Sequence, residues 1–220
     1  MKNYSVPRLS RPLRIDAKWN KYPWNDFLTL DLDHYMGEKP EHFPEVQAKL
    51  AYDDEAIYVI FRVNDRYVCA KAQSYQDRVC EDSCVEFFFT PGADISEGYF
   101  NLEVNCGGTA LFHHQRWRDV DEVPISDDDF YHVWLEHTMP QIVDPEITES
   151  VVWVVEYRLP YSILARYAKI DQPGPGVIWR ANLYKCADLC SHPHWLTWSP
   201  IDFPEPEFHM PSQFGYLEFS

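Results

Sequence analysis

Tyr99-Phe100-Asn101-Leu102-Glu103-Val104-Asn105, followed by Cys106-Gly107-Gly108, is the stretch on which the fold turns. Successive side chains of a strand point to opposite faces, so Phe100, Leu102 and Val104 fall on one side and Tyr99, Asn101, Glu103 and Asn105 on the other. The two glycines predict a tight turn, and residues 109–115 a returning partner. Working outward, residues 83–89 place Val85, Phe87 and Phe89 on one face and Cys84, Glu86 and Phe88 on the other, then stop at Pro91-Gly92. Ile57, Val59, Phe61 and Val63 mark a further strand. Others are expected at 46–52, 130–138, 150–158, 177–186 and 214–219, with one short helix near 161–167. Parallel pairing needs crossover helices that are missing from this pattern. The expectation is an all-β chain: an antiparallel β-sandwich, immunoglobulin-like or jelly-roll-like, forming one domain over residues 1–220 with at most one or two short helices.

The 220 residues carry 19 Lys plus Arg against 35 Asp plus Glu, a net charge of -16. Such a balance argues against a nucleic-acid partner, which calls for a basic surface to displace counterions, and against an anionic membrane surface. No apolar run approaches the roughly 20 residues that span a bilayer. The opening residues lack the apolar core of a secretory signal, which leans the expected location toward the cytoplasm, with export possible had a signal been removed. Eight Trp, 14 Tyr and 13 Phe beside 17 Pro suggest short strands and rigid loops. The six cysteines, Cys69, Cys80, Cys84, Cys106, Cys186 and Cys190, permit pairing without fixing it.

Two segments carry recognition chemistry. Tyr75-Gln76-Asp77-Arg78-Val79-Cys80-Glu81-Asp82-Ser83 is a polar loop leading into the strand of Glu86, and carboxylates beside Arg can engage paired sugar hydroxyls. The tail holds Trp195, Trp198, Phe203, Phe208 and His209 in a proline-stiffened loop from Pro193 to Pro211, with Phe214 just beyond it. Preordered rings offer flat platforms for the C–H faces of a pyranose at little entropic cost. Each segment also has a plain structural reading, as a solvated loop and as a lid on the sandwich. Cys186-x3-Cys190 with His192 and His194 departs from zinc-knuckle spacing, and the acidic residues around Asp119–Asp129 lack calcium-loop spacing, so no metal is expected from spacing. No nucleophile motif, metalloprotease motif or phosphate-binding glycine loop is present.

Four blocks together resemble the family 9 carbohydrate-binding modules, which are β-sandwiches. These are Ile15-Asp16-Ala17-Lys18-Trp19, Tyr52-Asp53-Asp54-Glu55-Ala56-Ile57-Tyr58-Val59 running on to Val63-Asn64-Asp65, Glu81-Asp82-Ser83-Cys84-Val85-Glu86-Phe87-Phe88, and Phe208-His209 with Phe214-Gly215-Tyr216-Leu217. The resemblance implies a sugar held between rings with carboxylate, Arg and amide groups on its hydroxyls, and calcium in some members. Where it leads to a platform Trp ahead of Glu81-Asp82, this chain has only Tyr75.

The expected function is therefore binding of a mono- or oligosaccharide in the service of carbohydrate catabolism, without a required cofactor. Tyr75, Arg78, Glu81, Asp82, Glu86, Trp195, Trp198 and His209 are expected to converge at one end or face of the sandwich. The alternatives are an enzyme hydrolysing O-glycosyl bonds with two of these carboxylates, and a non-catalytic domain that binds a protein or a cofactor.

Overall fold

The computed structural model describes residues 1–220 and folds them into two facing sheets plus a small third one. The larger, nine-stranded sheet runs β1 (Asn3–Val6), β16 (Gly215–Phe219), β14 (Ile178–Cys186), β7 (Cys84–Thr90), β8 (Tyr99–Asn105), β9 (Ala110–Gln115) and β10 (Val123–Pro124). Beside β14 it also takes in β15 (Trp195–Thr197) and β3 (His34–Tyr35). The five-stranded sheet runs β11 (Trp134–His137), β13 (Val151–Pro160), β5 (Ala56–Asp65), β4 (Glu45–Tyr52) and β2 (Leu30–Asp31). A two-stranded pair joins β12 (Val143–Ile147) to β6 (Val68–Ala70). The α-helices are single turns, α1 (Asp127–Phe130) and α2 (Tyr161–Leu164). No helix is long and apolar enough to cross a membrane.

This is the expected antiparallel sandwich, with one exception: β1 pairs parallel to β16, Asn3 opposite Tyr216 and Val6 opposite Phe219. The expected helix near 161–167 is only the turn of α2, and the helical turn α1 and short strands such as β6, β12 and β15 escaped the pattern because two to five residues are too few to show a period.

Forty buried residues fill the space between the sheets. The larger sheet contributes Val85, Phe87, Phe100, Leu102, Val104, Trp179 and Leu183, and the smaller one Leu50, Ile57, Val59, Phe61, Trp153 and Val155. These are the apolar sides of the alternations, and their burial, at about 25 cal/mol per Å² of apolar surface, drives the two layers together. Both outer faces are covered as well. Leu9, Ile15, Ala17 and Trp24 cap Ala51, Tyr58, Ile60 and Val154 on the smaller sheet. Met36, Val79, Phe208 and Phe214 cap Cys84, Phe88, Tyr99, Tyr184 and Cys186 on the larger one. Every residue of β7 and β8 is consequently buried, including the polar side that the alternation would leave in water.

One polar cluster and one covalent cross-link hold these covers. Glu156 of β13, with no exposed surface, accepts hydrogen bonds from the backbone N–H of Asp16 (2.9 Å) and Ala17 (2.7 Å) and from the Trp24 indole (2.7 Å), and pairs with Lys21 at 2.8 Å. On the tail side a disulfide joins Cys69 in β6 to Cys190, their Cα atoms 6.5 Å apart across 121 residues of sequence. It fastens the loop after β14, and bonds of this kind persist in oxidising compartments.

Behind that loop lies a buried charge cluster. The Lys185 ammonium donates to His194 Nε2 at 2.7 Å and lies 3.5 Å from Asp65, while His42 lies 2.6 Å from the same carboxylate. Burial, then the Lys185 charge, hold His194 down to about 3, and its Nδ1–H donates to the His192 carbonyl at 2.9 Å. Burial works against a charged Asp65, but Lys185 and the His42 bond outweigh it and hold the carboxyl at about 2. The unfolded chain takes up a proton at His194 as pH falls below about 6.5 and the native state does not until about 3, so the stability given by a neutral His194 is complete above 6.5 and is lost across that window. His194→Gln keeps an acceptor for Lys185 but cannot titrate. The difference in unfolding free energy between the natural chain and this variant is expected to shrink as pH drops from 6.5 to 4 in urea titrations; a difference independent of pH would refute the assignment.

Candidate functional site

The covered face of the larger sheet is where the chemistry collects. In β7 and β8 Glu86 stands directly opposite Glu103, and on the other side β14 sets Tyr184 opposite Glu86 and Cys186 opposite Cys84. These side chains share one face because the strands run antiparallel in register and the opposite face is committed to the core. The tail lies over them and leaves a cavity of about 130 Å³, with Glu86, Glu103 and Cys186 from the strands, Cys80 and Arg118 at its sides, and Asp188, Trp195, Glu207, Phe208 and His209 from the tail.

Each wall is held in place. The half-buried Trp195 donates its indole N–H to Asp188 at 2.8 Å, which fixes the ring plane. Phe208 stacks on Tyr184 with ring centres 4.0 Å apart, and the Tyr184 hydroxyl donates to the Phe208 carbonyl at 3.0 Å. His209 Nδ1 lies 2.7 Å from the Tyr99 hydroxyl and 3.3 Å from the Gln115 amide, so it accepts and the ring proton sits on Nε2. Burial lowers His209 to about 4, and the ring is neutral near pH 7. Arg118 pairs with Glu207 across the cavity wall.

The carboxyls crowd one another. Glu103 is pushed up to about 7 by burial, against the opposing hydrogen bond from Asn101 (3.0 Å). Glu86 is raised well above the ordinary carboxylate range by burial and then by the Glu103 charge, and Asp188 is raised by burial. Glu86 Oε1 accepts from the Cys186 thiol at 3.0 Å. The outcome is a pocket lined by one flat indole, one apolar ring, four carboxyl groups and one imidazole: a surface suited to a ligand with an apolar face and a rim of hydroxyls.

The eight residues singled out from the sequence divide among four places. Glu86, Trp195 and His209 line the one cavity. Arg78, Glu81 and Asp82 line a neighbouring one of about 320 Å³ with Asp77, Lys71 and Leu189. The two loops do meet, since the N–H groups of Asp188 and Leu189 donate to the carbonyls of Cys80 and Glu81, each at 3.0 Å. Within that neighbouring set the exposed Arg78 pairs with Glu81 at 3.0 Å. Asp82 is 3 % exposed and saturated by the Lys71 and Ala72 N–H groups and the Asn105 amide, which makes it a clamp. Tyr75 points away to another end of the sheet, stacked on Phe130 at 4.2 Å with its hydroxyl on the Ile125 carbonyl. Trp198 is 3 % exposed in the main core, its ring packed against Gly215. The expected convergence of all eight is therefore corrected: a hydroxyl partner draws Tyr75 to Ile125, and apolar burial claims Trp198.

Glu103, Asp188, Glu207 and Arg118 were not selected from the sequence. Glu103 was legible in principle, because pairing 84–90 with 99–105 as a hairpin puts it across from Glu86. Asp188 and Glu207 sit in irregular segments with no period to follow. The Cys186-x3-Cys190 spacing also separates here: Cys190 is in the disulfide, Cys186 faces Glu86, His194 is bonded to Lys185 and His192 stacks on Tyr67 at 3.6 Å.

Comparisons with known proteins agree with this architecture. None of the curated proteins matches the chain. Among solved structures, a candidate carbohydrate-binding protein from Bacteroides uniformis is 27% identical, covering 100% of this chain and 99% of that one at a TM-score of 0.89. A family 9 carbohydrate-binding module from Caldicellulosiruptor kristjanssonii, solved with glucose and with cellotriose, is 16% identical in each case. Its TM-scores are 0.64 and 0.65, and the alignments cover 100% of this chain and 96% and 94% of that one. The profile of carbohydrate-binding family 9 matches residues 24–219, most of the length. The chain belongs to carbohydrate-binding family 9.

Proposed function

We propose that the protein binds a mono- or oligosaccharide in the cavity between Trp195 and the Glu86–Glu103 floor. The observation that carries this reading is the placement of an oriented indole over a floor of buried carboxyls that have few partners within the protein. Sugar hydroxyls would supply donors to Glu86 and Glu103, and the ring's C–H face would lie on Trp195. Glucose and cellotriose, present in the complexes of the Caldicellulosiruptor relative, are the first ligands to try. The pocket is small and roofed on one side by the tail, which suits the end of a chain or a single sugar better than the middle of a polymer.

The test is calorimetric titration with glucose and cello-oligosaccharides. Saturable binding is expected, weakened about fivefold to tenfold at pH 8 by Glu103→Gln, which keeps an acceptor oxygen but exchanges a charge-assisted hydrogen bond for a neutral one. Tyr75→Phe, remote from the cavity, is expected to leave affinity unchanged. Folded protein that binds none of a broad sugar panel, or whose affinity ignores Glu103→Gln, would refute the reading.

A further inference from the structure

Beneath the sugar cavity the strands bring together a donor set with a different preference. Cys84 and Cys186 are cross-strand neighbours in the β7–β14 pair, and their sulfurs lie within 4.8 Å of each other. Glu86, two residues along β7 on the same face, takes a hydrogen bond from Cys186 Sγ at 3.0 Å. The two sulfurs and a Glu86 carboxylate oxygen all lie within 4.8 Å of one another, and all three residues are buried. Glu86 is 2 % exposed, yet this weak S–H donor is its one hydrogen-bond partner and Oε2 has none within the protein. A buried acid is ordinarily matched by a cation or by strong donors. Glu86 and Cys186 both line the cavity, so the cluster is open to solvent on one side. Glu103 and Asp188, on the same cavity, add negative charge that favours a cation there.

We propose that Cys84, Cys186 and Glu86 form a binding site for a thiophilic divalent cation, zinc being the best match, whose fourth coordination position faces the cavity. Thiolate sulfur and carboxylate oxygen are both donors that zinc takes, and zinc sites with three protein ligands leave one position for water or a ligand hydroxyl. Binding exchanges the Cys84 and Cys186 protons, and the Glu86 proton where it is present, for the ion. The protons leave to solvent, no electron moves, and no oxidant is required. The proposal stands on the geometry of these three residues and not on the sugar reading. The two meet only at Glu86, where a bound ion would occupy the carboxylate that a sugar would otherwise use.

Cobalt(II) is the probe, because thiolate ligation gives it an intense charge-transfer absorption. Protein with the Cys69–Cys190 bond intact should contain four free thiols, Cys80, Cys84, Cys106 and Cys186, when denatured without reductant. Titration of that protein is expected to give a thiolate band saturating at one cobalt per chain and erased by stoichiometric zinc. The band should vanish in Cys84→Ser and Cys186→Ser and persist in Cys106→Ser, whose thiol instead faces the Cys69 carbonyl. Should the serine variants misfold, Glu86→Gln retains both sulfurs and the side-chain shape, and is expected to weaken cobalt binding at least tenfold. Fewer than four thiols, no band in the folded natural chain, or a band untouched by Glu86→Gln would overturn the proposal. Calorimetry with sugar on a metal-free portion of the same preparation separates the two claims, because Glu86 is then unoccupied: a cobalt band in the one portion without sugar binding in the other refutes the sugar reading alone, and sugar binding without a band refutes the metal site alone.

Discussion

Replacing Glu156 with alanine is expected to destabilise the protein by about 3–5 kcal/mol, the range for removing one partner of a buried, hydrogen-bonded charge pair. The magnitude follows from what the carboxylate holds. Two backbone N–H groups, from Asp16 and Ala17, and the Trp24 indole converge on it in a region shielded from water, and Lys21 neutralises it. Truncation leaves those donors without an acceptor, and each buried orphan costs about 1–3 kcal/mol. It also frees residues 9–24 from the outer face of the smaller sheet, uncovering Tyr58 and Ile60. Glu156→Gln retains an acceptor oxygen and should fall between the two. Urea denaturation measures the effect as a lower midpoint, and a loss below about 1 kcal/mol would show that packing alone holds the segment. Sugar affinity of the folded variant should be unchanged, because the candidate site lies on the other sheet.

Trp195→Ala is expected to lower sugar affinity by a factor of about 100 or more, roughly 2.7 kcal/mol, since it removes the one indole that lines the cavity. Its ring is already oriented by Asp188, so little entropy is spent in presenting it. Trp195→Phe keeps a platform but loses the N–H that fixes it, and an intermediate affinity should result. Trp198→Ala is the informative contrast. That ring is core, so its truncation should cost about 3–5 kcal/mol of stability while leaving the affinity of whatever remains folded near the natural value. The pair of variants measured by calorimetry and by urea denaturation tests both roles at once. Equal loss of sugar affinity in the two would mean that Trp195 has no privileged place.

The sandwich was legible because its inward side chains repeat every second residue: Phe100, Leu102 and Val104, or Ile57, Val59, Phe61 and Val63, declare a buried face without outside help. What could not be read was the covering of the opposite face. Asn101, Glu103 and Glu86 look like solvent-facing residues of half-exposed strands, and it is a cover assembled from distant segments, Met36, Val79 and the tail, that makes them buried. The site suffers from the same dependence. Trp195 and Trp198 are three residues apart in one aromatic segment, yet β15 carries the first to the cavity rim, and the second enters the core beside Gly215. Asp82 and Glu81 are adjacent acids, and one is a saturated clamp and the other the partner of Arg78. Residue type announced polar and aromatic chemistry in these segments, whereas the assignment to a particular cavity rested on long-range pairing that no local pattern encodes.

The division of the cavity between a sheet floor and a tail roof bears on how such a protein can change its ligand over evolutionary time. Glu86 and Glu103 alternate with Phe87 and Leu102, so their backbone positions are pinned by the core on the other side, and an insertion there would invert the strand. Asp188, Glu207 and His209 sit in irregular segments that owe the core far less, and such segments accept insertions and substitutions. A lineage could therefore replace the roof, and with it the shape and the hydroxyl pattern selected, while inheriting the floor intact. The same sandwich could in that way serve a succession of sugars through changes confined to the loops of the roof.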